Sequence, residues 1–88
     1  MYKFFVSESL EKKLSKLSKK DKDLYNQILK KIDEIIHSKD IEHYKNLRYD
    51  MKESKRVHIG HLVLVFRYKK EENLILFDDF EHHDNVYR

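Results

Sequence analysis

Leu62-Val63-Leu64-Val65-Phe66 is an unbroken apolar run, so a strand made from it presents apolar side chains to both faces of its sheet. Such a strand belongs in the middle of a sheet and must be covered on each side. The chain has 88 residues and no cysteine, too few to divide into two self-sufficient cores, so residues 1–88 are expected to form one domain. Disulfides and thiolate metal sites are excluded, which leaves packing to hold the fold.

The cover for that strand is legible upstream. Residues 2–6 mix Tyr, Phe and Val as a strand does, and they end at Ser7, whose hydroxyl can cap a helix. Leu10, Leu14 and Leu17 then recur at helical spacing. Ser18-Lys19-Lys20-Asp21 reads as a capping box that opens a second helix, where Leu24, Ile28, Ile32 and Ile35 keep the 3.6-residue period. Residues 38–45 read as a connection. Four strand-like segments follow, around residues 47–51, 55–59, 61–68 and 73–80, with Gly60 turning one hairpin and Lys69-Lys70-Glu71-Glu72-Asn73 turning the next. The order predicts an α+β fold: an N-terminal strand, a two-helix antiparallel hairpin, then a roughly four-stranded antiparallel sheet covered by the helices on one face. The hairpin covers one side of the Leu62-to-Phe66 strand only, so a segment of a partner protein is expected on the other.

Composition narrows the function classes. Charged and apolar residues each make up 40% of the chain, which describes a globular protein with a densely charged surface. No apolar stretch is long enough to span a membrane and the N-terminus lacks a signal-peptide pattern, so a cytoplasmic protein without a membrane partner is expected. Charge is uneven: residues 44–70 carry eight Lys/Arg against Asp50 and Glu53, whereas residues 71–88 carry one basic and six acidic residues. A concentrated basic region suits phosphate contacts, and it also suits a plain solvated face.

The chemistry-bearing residues gather at the end of the last strand-like segment, in His82-His83-Asp84-Asn85-Val86-Tyr87. Imidazoles exchange protons near neutral pH, a carboxylate can orient them, and a phenol can stack or donate. His58 and His61 flank the single glycine, at the rim of the same expected sheet. A zinc reading of the tail is weak, because consecutive residues of a strand point to alternate faces and do not converge on one ion. No cofactor is expected.

In this order the segments resemble the RelE/ParE superfamily of toxins from type II toxin–antitoxin systems. Lys45-Asn46-Leu47 through Asp50-Met51-Lys52, the Arg56-Val57-His58-Ile59-Gly60-His61 hairpin running into Leu62-Val63-Leu64-Val65-Phe66, and the terminal His82-His83-Asp84-Asn85-Val86-Tyr87 carry the resemblance. It implies a cognate antitoxin wrapped around the molecule, with room for a toxin–antitoxin heterotetramer. For RelE-like members it implies a metal-independent endoribonuclease that cuts mRNA in the ribosomal A site, with the ribosome and mRNA as partners. Histidines stand where the family often has arginine, which leans toward YafQ-like members. On this reading His58 and His82 form the acid–base pair, His61 or His83 assists, and Asp84 orients an imidazole. Lys52, Lys55 and Arg56 hold phosphates, and Tyr87 stacks on a nucleobase or packs against the sheet edge. The alternatives are a non-catalytic ParE-like inhibitor of gyrase and an inactive relative that only binds antitoxin.

Overall fold

A computed structural model of the chain describes residues 1–46 and 54–82. Strand β1 (Lys3–Val6) leads into helix α1 (Glu8–Lys20) and helix α2 (Lys22–Ile36), followed by a 3₁₀ turn at Ile41–His43. Strands β2 (Ser54–Ile59), β3 (Leu62–Lys69) and β4 (Leu74–His82) complete the domain. The sheet order is β1-β4-β3-β2, with β2, β3 and β4 antiparallel and β1 returning as a parallel edge strand against β4. The expected architecture is therefore present, and the N-terminal strand is itself the fourth strand of the described sheet. The segment expected around residues 47–51 lies outside the described residues.

Local sequence explains the helix ends. Ser7 caps α1 by accepting from the Leu10 amide at 3.0 Å. Asp21 alone divides the two helices: its amide donates to the Leu17 carbonyl and its carboxylate accepts from the Leu24 amide at 3.1 Å. The expected cap at Ser18 is corrected, since Ser18 lies inside α1 and donates back to the Ser15 carbonyl. A hydroxyl within a helix finds a carbonyl of the preceding turn, whereas a carboxylate at the break meets the free amides of the next helix.

The helices bury Leu10, Ile28, Ile32, Ile35 and Ile36 against Ile59, Leu62, Leu64, Phe66, Ile75 and Phe77 of the sheet. Each fully buried aliphatic or aromatic side chain contributes about 1.5–3 kcal/mol. Val63 points away from this core yet is 0% exposed, and Val65 is half-buried, so the far face of β3 shows less apolar surface than the sequence suggests. The exposed aromatic surface lies instead on β1, at Phe5 and Phe4.

One irregularity sets the direction of every functional side chain on β4. Val65 pairs with Asp79 but Phe66 pairs with Phe77, so Asp78 is an extra residue, a β-bulge. Simple alternation from Ile75 and Phe77 would turn Phe80 and His82 away from the helices. The bulge reverses that phase: Phe80 pairs with Leu64 and packs on the core, and His82 pairs with Leu62. Ser7 holds the bulge in place, its amide donating to the Phe77 carbonyl at 2.9 Å and its hydroxyl to the Asp78 carbonyl at 2.5 Å. Arg67 secures the Asp78 carboxylate with a forked contact at 2.8–3.1 Å. Ser7→Ala removes both the cap and the partner of a bulge carbonyl, and a loss of about 1–2 kcal/mol in urea unfolding is expected.

Candidate active site

Gly60 and His61 form a two-residue hairpin loop between β2 and β3, with Gly60 at φ +62°. A positive φ at the first loop position is where glycine is favoured, and it explains why the single glycine stands here. The loop brings His61 over the end of β4. Its ring stacks on that of His82, with centroids 5.5 Å apart and planes 25° from parallel. Two of the histidines singled out in the sequence are thus brought together.

The expected pairing of His58 with His82 is corrected by the register. His58 pairs with Val63 and Val63 with Glu81, which places these three on the face away from the helices. Ile59, Leu62 and His82 form the neighbouring row and share the helix-covered face. Directly opposed residues of a ladder point the same way and successive residues point opposite ways, so His58 and His82 are on opposite faces. Arg56 shares the face of His58 and donates to the Asn46 carbonyl.

Lys55 is also corrected as a phosphate-holding residue. It lies in phase with Val57 and Ile59, is 3% exposed, and donates to the Tyr44 carbonyl at 3.3 Å and to Asn46 Oδ1 at 3.2 Å. The Glu42 carboxylate lies 3.8 Å away, and a buried ammonium requires such partners, which commits this one to the protein. Lys52, His83, Asp84 and Tyr87 lie outside the described residues.

Beside His82 runs a groove of about 300 Å³ with Leu17, Leu62 and Phe80 as its floor and Lys13, Lys16 and Lys20 along its rim. The three lysines recur at i, i+3 and i+7 on α1, a helical stripe beside the Leu10, Leu14, Leu17 stripe. That spacing is a readable signal, overshadowed in the sequence by the histidines and the basic middle segment. Lys13 is committed to the protein: it donates to Glu81 Oε1 at 2.8 Å and to the Phe80 carbonyl at 3.0 Å, and it pairs with Asp79 at 3.0 Å. Burial works against its charged form, but the bonds to Glu81 and Asp79 outweigh burial and hold the ammonium above its ordinary value. Lys16 and Lys20 are exposed on the rim. The described site thus comprises two imidazoles in contact, two accessible ammonium groups and a carboxylate already neutralised by Lys13.

RelE4, a candidate toxin of Methanocaldococcus jannaschii, is 46% identical over 89 residues, covering 100% of this chain and 93% of that protein. The chain belongs to the RelE family of toxins. Solved structures with the same fold include three at lower identity. The toxin–antitoxin complex RelBE of E. coli matches the RelE-family chain with a TM-score of 0.74 at 20% identity, covering 93% of this chain and 96% of the matched one. YafQ of E. coli matches at 0.73 and 14% identity, with full coverage of both chains. A metal-bound toxin of Helicobacter pylori matches at 0.76 and 24% identity, covering 99% of this chain and 100% of that one. At these identities the structural likeness is one of fold. No family model matches the sequence. Among the described residues of this RelE-family toxin, no helix is long and apolar enough to cross a membrane.

Proposed function

We propose that this RelE-family toxin is an endoribonuclease that cleaves mRNA on the ribosome by metal-independent acid–base chemistry and is neutralised by a cognate antitoxin. The observation that carries the reading is the His61–His82 stack at the mouth of the lysine-rimmed groove. Cleavage of an RNA phosphodiester through its own 2′-hydroxyl needs a base for the 2′-OH proton, an acid for the 5′-oxygen leaving group, and positive charge at the phosphorane. Two adjacent imidazoles can divide the first two roles, one neutral and one protonated at the same pH. Lys16 and Lys20 supply the third. The 2′-oxygen attacks phosphorus as it gives its proton to one imidazole, and the bond to the 5′-oxygen breaks as that oxygen takes a proton from the other. The products are a 2′,3′-cyclic phosphate and a 5′-hydroxyl end.

Antitoxin neutralisation is supported by the likeness to the toxin chain of the RelBE complex and by family membership. Mapping the 5′ ends of cellular mRNA after induction tests the whole reading. Growth arrest with new 5′-hydroxyl ends inside translated codons, and relief by the antitoxin, is the expected result. Arrest with intact mRNA would contradict nuclease action and direct attention to a target such as gyrase.

A further inference from the structure

Three depressions follow one another around the β2 edge and the Gly60 end of the molecule, and the first two share His58. The first, of about 270 Å³, lies against β2 and is lined by His43, Tyr44, Lys45, Arg56 and His58. His58 also lines the second, of similar size, together with Lys30, Lys31, Glu34 and Gly60. Gly60 is followed by His61, whose ring lies on His82, and His82 lines the third, the groove bearing Lys16 and Lys20. The first two depressions are thus linked through His58, and the last two through the Gly60–His61 loop and its ring contact with His82, in a path that turns from the sheet edge onto α1.

The charge along this path has one sign. Lys45, Arg56, Lys30, Lys31, Lys13, Lys16 and Lys20 line it, against two carboxylates. Both carboxylates are already held by lysines of the path, Glu34 by Lys31 at 2.7 Å and Glu81 by Lys13 at 2.8 Å. Flat rings recur beside the cations, at the His43–Tyr44 pair with centroids 4.1 Å apart and at the His61–His82 stack. Cations spaced along a groove with intermittent rings match a polymer that alternates phosphates and bases. A plain polyanion such as polyglutamate would engage the cations and leave the rings unmatched.

We infer that single-stranded RNA runs along this path from Lys45 and Arg56, past His58 and Lys30, to the His61–His82 stack, so that the toxin grips several nucleotides on one side of the scissile bond. The inference rests on the nuclease reading and gives it a footprint. It also gives His58 a place: on the approach to the cleavage site and outside the acid–base pair.

The test is fluorescence anisotropy of a 5′-fluorescein-labelled 12-nucleotide RNA with the purified toxin over a range of salt. Lys30→Glu with Lys45→Glu is expected to weaken binding at least tenfold and to flatten the dependence of log affinity on log salt, by roughly 0.7 for each phosphate that is no longer neutralised. A control of equal charge change at the far end, Lys3→Glu with Lys70→Glu, is expected to shift affinity less than twofold. Equal losses in both variants, unchanged affinity in the first, absence of binding by the wild type, or equally effective competition by poly-L-glutamate would each overturn the path. Because mRNA cleavage in cells is read separately from binding, a failed path with cleavage retained leaves the nuclease reading standing. Loss of cleavage itself is what removes that reading.

Discussion

His82→Ala is expected to lower cleavage of ribosome-bound mRNA by about 10²-fold or more while leaving the fold intact. The ring is at the exposed end of β4, so its removal costs the fold within about 0.5 kcal/mol. The effect should fall on kcat, because an acid or base acts only as the transition state forms. His61→Ala is expected to produce a loss of the same order, since the imidazole stacked on His82 is its partner in the proposed proton transfers. His58→Ala separates the two faces of the sheet. Its side chain is in the Val63–Glu81 row, opposite His82, and its loss is expected to raise KM more than it lowers kcat. Rates measured on programmed ribosomes for the three variants check this order, and a kcat defect in His58→Ala equal to that of His82→Ala would restore the pairing that the register denies.

Phe66→Ala is expected to cost about 3–5 kcal/mol, the range for emptying a large aromatic site in a packed core. Phe66 is fully buried, meets Tyr44 edge-on at 5.7 Å and Phe77 at 5.8 Å, and belongs to the central apolar cluster between sheet and helices. A domain of this length has about 4–13 kcal/mol of stability in total. The variant is therefore expected to be largely unfolded at 37 °C, with a urea midpoint shifted sharply downward. Val65→Ala, one position along and half-buried on the other face, should cost less than half as much. Similar losses at the two positions would mean that the far face is packed as tightly as the core.

Much of this geometry is legible in the sequence, because period and burial are tied by backbone geometry. The apolar run from Leu62 to Phe66 marks the central strand, and the Arg56-Val57-His58-Ile59 alternation gives the faces of β2 correctly. The same alternation, carried back one residue, puts Lys55 in phase with Val57. Its burial is therefore within reach of the pattern, and only the general exposure of lysine argues the other way. The bulge is a different matter. Asp78 and Asp79 are identical neighbours between Phe77 and Phe80, and nothing in their chemistry says that one of them is extra. A single added residue reverses the facing of everything after it, which is why alternation alone matches His82 with His58 when the hairpin loop supplies His61. The stack between His61 and His82 depends on that phase and on the two-residue loop at Gly60 together, and neither alone reveals it.

In the proposed mechanism His61 and His82 act as one unit. The direct measurement is the single-turnover rate of mRNA cleavage on ribosomes by wild type, His61→Ala, His82→Ala and the double variant. If the two imidazoles share one proton-transfer cycle, the double variant cleaves about as slowly as the worse single variant, because the second loss removes nothing that is still working. Losses that multiply in the double variant, or single variants that cleave at the wild-type rate, would contradict the assignment of the site to this pair.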